Sequence, residues 1–446
     1  MRKLVAGDKA FQDELQQLRT FDLLEDEVLD KKVSQILADV KEKGNEALLG
    51  YVKEFDRPEI NSVHDAMIDP DLFASSWKRL SSKERDVLSL AVDRIHSFHQ
   101  HQTERSWSFR DEDNNWLGQQ VSAIKRVGVY VPGGRASYPS TSLMTVIPAQ
   151  VAGVSEIAVV TPIDMSQEND FLFAALHKLG IEEVYGFGGA QSIAALAFGT
   201  ETIEKVDKIV GPGGLYVTAA KRKVFGYVGI DSIAGPTELV VLADRNAPLD
   251  WVVLDLLSQA EHDPSAQSIL ISEDAQYLDR VLNRIDEVVP SMMRHEIIRE
   301  SLSSRGAAIL VKDLNQGLEV INFIAPEHLQ LCVKGADQLL PKLSSAGAIF
   351  CGNYSSEAFG DYLAGPSHVL PTFGSARFSS PLGVYDFVKK SSIIHLSQEG
   401  ASRLSKPAFL FANKEGLEAH ALASQARGEG LESNVFVSNP GNCLDD

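Results

Sequence analysis

The chain has 446 residues, of which 44% are hydrophobic and 23% are charged, and this is the composition of a globular protein rather than of a disordered chain. Lysine and arginine together number 42 against 61 aspartate and glutamate residues, which gives a formal net charge of −19. This excess of negative charge argues against nucleic acid or an anionic membrane as the main partner. The length is sufficient for two or more structural units with separate cores.

The sequence carries no clear targeting or redox signal. No apolar run approaches the ~20 residues that a membrane-spanning helix needs. The segment from Met1 to Lys9 becomes charged again too soon for a signal peptide. The cysteines Cys332, Cys351 and Cys443 form no CxxC pair and no disulfide framework. We therefore expect a protein of the reducing cytoplasm.

Hydrophobic spacing predicts helices first and parallel sheets afterwards. Roughly the first 120 residues have apolar residues at helical spacing, notably over 21–55 and 81–101. Short apolar strands follow, separated by glycine turns and by helical segments such as 248–262 and 314–324, which is the order of βαβ units. The predicted strands are 127–131, 157–161, 183–186, 208–210, 239–242, 268–271, 307–311, 329–333 and 348–351. This pattern predicts two tandem α/β units after a helical N-terminal region, with a last helix over 414–427.

Gln259 and His262 are three residues apart near the end of a predicted helix, where they share one face. Histidine is the commonest metal ligand among side chains, and glutamine offers a neutral carbonyl oxygen. The pair could therefore bind a metal. A surface pair is the alternative interpretation, which the spacing alone favours.

Glu327 and His328 follow Pro326 and come directly before a predicted strand. An adjacent carboxylate and imidazole could supply two proton-transfer groups. The alternative is a turn with two solvated polar side chains.

Two further segments contain acids and imidazoles. Asp361 follows Gly360 in a loop after a buried strand, where its carboxylate could bind a hard cation or form an Asx turn. Glu415 and His420 lie near the C-terminus, and by themselves they fit a helix with polar faces.

Three glycine turns follow predicted strands, at 131–135, 186–191 and 211–214. None completes a GxGxxG motif, because Gln191 occupies the place of the last glycine. Each is compatible with a plain strand-to-helix turn. Three such turns at strand ends of one sheet nevertheless predict a dinucleotide crevice.

His96, His99 and His101 look like a metal-binding tract. They lie on a charged helical segment, so we interpret them instead as a solvated helix face.

Six motifs occur in an order that resembles the histidinol dehydrogenases. They are VPGG at 131–134, GGAQ at 188–191, SQAEHD at 258–263, PEHL at 326–329, GDY at 360–362 and EGLEAH at 415–420, and they are accompanied by GID at 229–231 and AGPTE at 234–238. Each motif is weak alone. Six of them in this order, over nearly the whole chain, are specific to that family.

The resemblance implies a zinc- and NAD-dependent homodimeric enzyme. The family oxidises L-histidinol to L-histidine in two steps through bound L-histidinaldehyde, the last step of histidine biosynthesis. The implied zinc ligands, one zinc per subunit, are Gln259, His262, Asp361 and the partner subunit's His420. Glu327 and His328 match the family's acid–base pair, and Tyr130 and Gln191 match its NAD contacts. The implied substrate contacts are Thr237, Gln259, His262, His328, Asp361, Glu415 and His420.

The same resemblance implies a division of the chain. Residues 1–25 are expected to form an N-terminal helical arm, and residues 126–235 an NAD-binding Rossmann-like domain. Residues 26–125 plus 236–375 are expected to form the zinc and substrate α/β domain. Residues 376–446 are expected to form a C-terminal dimerisation arm that completes the partner's site.

Two residues depart from the family pattern. Gly214 stands where the family often has an asparagine that contacts the cofactor, so that contact is not carried over. Thr237 stands where serine is frequent, and it keeps the hydroxyl group.

Two alternatives to this function stay open. The first is a paralogue that oxidises another small polyol or amino alcohol on the same framework. The second is a non-catalytic ligand-binding homologue, against which the retention of both Glu327 and His328 argues.

Overall fold

The computed structural model describes residues 1–19, 26–133, 138–166 and 168–429. The helices are α1 (Phe11–Arg19), α2 (Glu27–Lys43), α3 (Asn45–Phe55), α4 (Pro70–Arg79), α5 (Ser82–Gln100), α6 (Pro139–Ala152), α7 (Asp170–Lys178), α8 (Gly189–Phe198), α9 (Leu215–Val224), α10 (Leu249–Ala260), α11 (Ala275–Val288), α12 (His295–Ser304), α13 (Leu314–Ile324), α14 (Glu357–Tyr362), α15 (Gln398–Lys414) and α16 (Glu418–Glu429). The strands are β1 (Arg2–Val5), β2 (Trp107–Arg110), β3 (Trp116–Ala123), β4 (Arg126–Tyr130), β5 (Glu156–Val160), β6 (Val184–Tyr185), β7 (Lys208–Val210), β8 (Gly229–Ile230), β9 (Glu238–Ala243), β10 (Gln267–Ser272), β11 (Ala307–Leu310), β12 (His328–Cys332), β13 (Ala348–Cys351) and β14 (Val388–His395).

The chain divides into two compact units. Among the described residues, the first unit contains those of 1–103 and 124–387, and the second contains 104–123 and 388–429. Both parallel sheets belong to the first unit. The domain boundaries expected from the family resemblance stay predictions.

A six-stranded parallel sheet in the first unit has the strand order β1-β11-β10-β9-β12-β13. Its central strands are buried on both faces, with apolar side chains of α1 and α13 packed on one face and of α10, α11 and α12 on the other. Burial on both faces explains why these strands are continuous apolar runs in the sequence.

A five-stranded parallel sheet in the same unit has the order β6-β5-β4-β7-β8. Apolar residues of α2, α3, α8 and α9 cover one face, and those of α4, α5, α6 and α7 cover the other. The prediction of an α/β protein with two parallel-sheet units is therefore confirmed.

The prediction of a purely helical N-terminal region is wrong in two places. Arg2–Val5 form the edge strand β1, which pairs in parallel with β11. Strands β2 and β3 form before the first predicted strand, and both belong to the second unit. Strand β1 pairs with the distant β11 and β3 with the distant β14, whereas β2 pairs with the neighbouring β3, and local helical spacing reports none of these pairings.

The second unit contains the antiparallel sheet β14-β3-β2 and the helices α15 and α16. The single helix predicted over 414–427 is wrong at its start, because α15 ends at Lys414 and α16 begins at Glu418. Gly416 has a φ of 74° in the turn between them, a left-handed conformation that glycine adopts without strain. The rest of the C-terminal tail, 430–446, lies outside the described residues.

Among the described residues, no helix combines the length and the apolar character that crossing a membrane requires.

Candidate active site

The candidate catalytic and metal-binding residues of the first unit gather at the amino edge of the six-stranded sheet. Glu327 directly precedes β12, and His328 is its first residue. Thr237 directly precedes the neighbouring strand β9. Helix α10 connects β9 to the parallel strand β10, so it runs back along the sheet and brings Gln259 and His262 to the same edge.

Glu327 is held by two hydrogen bonds to one of its oxygens. The Thr237 hydroxyl donates to Glu327 Oε2 across 2.6 Å, and the backbone N–H of Glu238 donates to the same atom across 2.9 Å. Burial raises the pKa of the Glu327 carboxyl well above its usual value, against the effect of these two donors. The carboxyl is therefore poised to take up a proton far more readily than an exposed glutamate.

His328 lies beside Glu327 and has a defined tautomer. Its Nδ1 is 3.0 Å from the backbone carbonyl oxygen of Glu238, which can only accept, so Nδ1 carries the hydrogen. The lone pair is consequently on Nε2. Burial lowers the pKa of His328 to about 3, which keeps the imidazole neutral at pH 7 with Nε2 unprotonated.

A candidate metal-binding group lies next to this pair. One ligand atom from each of His262, Glu357 and Asp361 lies within 4.8 Å of the others, and His262 Nε2 is 4.0 Å from Asp361 Oδ2. Gln259 is completely buried, and neither its amide oxygen nor its amide nitrogen has a hydrogen-bond partner. Because buried amides are normally hydrogen-bonded, this orphaned side chain fits a ligand to a bound cation.

Glu357 is a member of this group that the sequence analysis missed. Its carboxyl is buried, with Oε1 3.9 Å from His328 Nδ1 and with Oε2 unpartnered. Burial first, and then the charges of Asp361 and Glu327, raise the pKa of Glu357 well above its usual value. The sequence does contain a pattern that indicates this residue. Glu357 is four residues before Asp361, so the two side chains share a face of α14.

Asp361 and His368 form a second pair that the sequence analysis did not assign. His368 Nδ1 is 3.0 Å from the Asp361 backbone oxygen, and His368 Nε2 is 3.3 Å from the Thr141 hydroxyl. Burial raises the pKa of Asp361 to about 6 and lowers the pKa of His368 to about 4. A divalent cation would favour the ionised form of Asp361 and so complement this buried cluster of carboxyl groups.

The glycine turns lie at the carboxyl edge of the five-stranded sheet. Tyr130 ends β4, and the turn after β6 leads into α8, which carries Gln191. A Cβ atom at Gly188 would come within 2.9 Å of the Tyr130 hydroxyl oxygen, so this approach needs glycine. The structure thus brings Tyr130 and Gln191 to one turn.

Asp56, at the end of α3, holds that turn and was missed by the sequence analysis. Its Oδ1 accepts from the Gly188 backbone N–H across 3.1 Å, and its Oδ2 accepts from Gln191 Nε2 across 2.8 Å. No local pattern connects residues 135 positions apart, so only the tertiary structure reveals the contact.

The turn after β7 is fixed by a buried ion pair. Lys221 Nζ donates to the Gly211 carbonyl oxygen across 2.8 Å and pairs with Asp231. Asp231 Oδ2 accepts from the Gly211 N–H across 2.7 Å. Both polar groups of this glycine are therefore clamped. In the first turn, residues 134 and 135 lie outside the described residues.

Glu415 and His420 belong to the second unit. Glu415 caps the end of α15, and His420 lies in the first turn of α16. Their roles as substrate contact and as a zinc ligand from the partner stay predictions.

The interpretation of the histidine tract as a solvated face is wrong for one of its members. His99 is fully buried on α5, with Nδ1 2.8 Å from the Ile95 carbonyl oxygen. His99 shares the buried side of α5 with Leu88, Ala91 and Ile95, and α5 packs against α6.

Two parallel sheets, with a buried carboxylate–imidazole pair beside a candidate metal group, define an α/β enzyme. The family model described as histidinol dehydrogenase matches residues 22–428. Histidinol dehydrogenase from Chromobacterium violaceum is 49% identical over 96% of this chain and 99% of its own length. The enzyme of that name from Neisseria gonorrhoeae is 48% identical over 96% of this chain and 100% of its own length.

A solved structure agrees with these sequence matches. The crystal structure of histidinol dehydrogenase from Elizabethkingia anophelis has a TM-score of 0.90 and 33% identity, over 97% of this chain and 99% of that one. The chain belongs to the histidinol dehydrogenase family, a family of oxidoreductases. The resemblance stated from the six motifs is thereby confirmed.

Proposed function

We propose that this protein oxidises L-histidinol to L-histidine with zinc and NAD, in two steps through bound L-histidinaldehyde, as the last step of histidine biosynthesis. The observation that carries the proposal is the buried pair of Glu327 and His328 beside the group of His262, Glu357 and Asp361. A buried acid–base pair next to potential metal ligands, of which His262 is open to solvent, suits an alcohol that must be both anchored and deprotonated.

The residues of the pair have separate tasks. In each oxidation, Nε2 of His328 accepts the proton of the reacting hydroxyl group, because its Nδ1–H is held by the Glu238 carbonyl oxygen. Between the oxidations, Glu327 takes a proton from the water that adds to the aldehyde. Its bond from Thr237 keeps Oε2 fixed while the other oxygen serves the water.

The donor set near His262 suits zinc. A neutral imidazole, the buried amide of Gln259 and the carboxylate of Asp361 are ligands that zinc accepts. Two of them bind through oxygen, and the set leaves a coordination position for a substrate. When bound there, zinc anchors the amine and imidazole of histidinol and polarises the reacting oxygen. Glu357 lies close enough to these groups to act as a further ligand or to neutralise charge.

The glycine turns of the five-stranded sheet suit NAD, which accepts the hydride when bound. Gly188 and Gly211 allow both turns to pack closely against Tyr130, and Asp56 and the Lys221–Asp231 pair keep both turns in place. Gln191 and Tyr130 are the proposed contacts. The carboxyl ends of parallel strands are where such sheets generally bind dinucleotides.

We further propose a homodimer whose sites take Glu415 and His420 from the partner. The support lies in the second unit, where Trp107, Phe109 and Ile394 are more than half exposed. Phe109 and Ile394 both pair with Leu117 of β3, so they form one apolar row across the sheet. An exposed row of this kind favours coverage by a second copy of the chain.

The stoichiometry of NADH tests the reaction. Purified protein with zinc, NAD and histidinol should produce two NADH for each histidinol consumed. Turnover of another amino alcohol but not of histidinol would favour the paralogue, and failure with every alcohol in metal-replete protein would favour the non-catalytic binder.

Mixing of variants tests the shared site. His420→Ala and His262→Ala should each lower metal occupancy and activity. If His420 serves the partner's site, heterodimers of the two variants contain one intact site, and mixing should restore part of the activity. A mixture as inactive as its components would count against sharing.

A further inference from the structure

The carboxylate of Asp255 lies on the helix that leads to Gln259 and His262, and it has no role in the proposed reaction. Asp255 is on α10, four residues before Gln259, so the two side chains share a face of the helix. It is only 7% exposed. No lysine or arginine of the described ranges forms an ion pair with it, and burial raises the pKa of its carboxyl.

Two neutral donors from two other elements satisfy the two oxygens of Asp255. Ser356, which directly precedes α14, donates its hydroxyl to Oδ1 across 2.7 Å. Gln330 of β12 donates its amide Nε2 to Oδ2 across 2.6 Å. The carboxylate therefore joins three elements, with one oxygen for each of its two partners.

These three elements carry the proposed machinery of the site. Helix α10 leads to Gln259 and His262, and α14 carries Glu357 and Asp361. Strand β12 begins with His328, two residues before Gln330 and hence on the same face of the sheet.

Burying a carboxylate without a cation costs free energy. A neutral side chain could make a hydrogen bond in the core without this cost. An asparagine has one acceptor oxygen, so its NH₂ group would face either the NH₂ group of Gln330 or the Ser356 hydroxyl, which would then have to turn and accept. A carboxylate, in contrast, accepts from both donors at once. Only the carboxylate keeps both hydrogen bonds as they are in the structure.

We infer that Asp255 is a positioning residue, which sets the spacing between the metal ligands on α10 and α14 and ties both to the strand that carries His328. The inference rests on the proposed metal site. Ligands must be held within a few tenths of an ångström for tight binding, so a loosened support reduces metal affinity before it abolishes folding.

Zinc affinity of the metal-free protein tests this role. We would titrate zinc against a competing chromophoric chelator in the wild-type protein, Asp255→Asn and Ser356→Ala, and record the visible spectrum of the cobalt-substituted proteins. Ser268→Ala is the matched control. Ser268 is buried on β10 and donates to the Leu256 carbonyl oxygen across 2.9 Å, so its loss weakens the support of α10 without touching α14 or β12.

Asp255→Asn is expected to bind zinc about tenfold to 100-fold more weakly and to shift the cobalt spectrum, because groups that orient metal ligands have effects of this size. Ser356→Ala should have an intermediate effect, and Ser268→Ala should bind zinc as the wild type does. The inference is overturned if Asp255→Asn keeps the wild-type affinity for zinc. It is also overturned if Ser268→Ala and Asp255→Asn lower the melting temperature equally and lose the same affinity for zinc.

Two further outcomes also decide whether the inference holds. If Asp255→Asn does not fold, Ser356→Ala takes its place, and wild-type zinc affinity in that variant overturns the inference. If the wild-type protein itself does not bind zinc, the metal part of the proposed function fails and the inference fails with it. If zinc binding is unaffected by Asp255→Asn, the inference is wrong but the proposed function is not contradicted.

Discussion

The hydroxyl of Thr237 lies 2.6 Å from Oε2 of Glu327 and donates to it, which joins the residue before β9 to the residue before β12. Thr237, which stands where the family resemblance led us to expect serine, thus uses its hydroxyl group for this hydrogen bond. Its added methyl group does not prevent the contact.

Thr237→Val should slow turnover while Thr237→Ser should not. Valine keeps the shape of threonine but removes the donor, so the ionised form of Glu327 loses a bond worth roughly 1.5–3 kcal/mol and its pKa rises further. We expect kcat to fall about tenfold or more, and the acidic limb of the pH–rate profile to move to higher pH. Equal rates for the valine and serine variants would contradict the proposed role of Glu327.

His328→Asn should remove alcohol oxidation and keep the metal. Asparagine cannot take up the proton of the hydroxyl group, and loss of a general base costs about 10²- to 10⁴-fold in rate. Metal analysis of the purified variant should give the wild-type zinc content. A variant without zinc would show that His328 supports the metal site instead.

Glu357→Gln should weaken zinc binding and stabilise the metal-free protein. A carboxyl with a raised pKa costs stability as the pH rises, because the folded protein must release a proton that the unfolded chain releases more easily. We therefore expect the gain in melting temperature to be larger at pH 8 than at pH 5, and the zinc-induced rise in melting temperature to shrink. The exposed Glu319→Gln on α13 is the control of equal charge, and an identical response in both variants would refute the assignment.

Gly214→Asn should improve the use of NAD. Gly214 has a φ of −66°, and a Cβ atom there would meet no other atom within 4 Å, so asparagine is accepted without strain. One added hydrogen bond of about 1 kcal/mol lowers KM for NAD roughly fivefold. Gly214→Ala fills the same space without an amide and should leave KM unchanged. If the alanine variant improves equally, the amide is not the cause.

Glu238→Gln should flatten the dependence of stability on pH. Burial raises the pKa of the Glu238 carboxyl to about 7 from its ordinary value of 4.5. Between these values the folded protein holds a proton that the unfolded chain has lost, so this group reduces stability as the pH rises, by about 3 kcal/mol at most. Urea unfolding at pH 5 and pH 8 should show that the wild type loses more stability than Glu238→Gln. Parallel losses would contradict the shift.

Most strands of the two parallel sheets were predictable because buried strands are short, continuous apolar runs. The predicted ranges 208–210 and 348–351 coincide with β7 and β13, and the predicted helix 314–324 coincides with α13. The edge strands β1 and β8 and the antiparallel sheet of the second unit were not predicted. Most of their residues are exposed or only partly buried, so hydrophobic spacing contains little information about them.

For the candidate site, the sequence was informative about residue types in motifs and uninformative about what supports them. Gln259, His262, Asp361, Glu327 and His328 were identified from their motifs, and in the structure they lie at one sheet edge. Asp56 and Asp255 act through partners that are distant in the sequence, so no local pattern reveals them.

The two parallel sheets use opposite edges. The glycine turns lie at the carboxyl edge of the five-stranded sheet, and the acid–base pair lies at the amino edge of the six-stranded sheet. A protein engineer can use this separation. Under the proposed function, changes that retune nicotinamide preference are expected at the ends of β4, β6 and β7, whereas changes that admit a new alcohol are expected at β9, β12 and α10. Libraries built on the two sets of positions can be selected independently and then recombined.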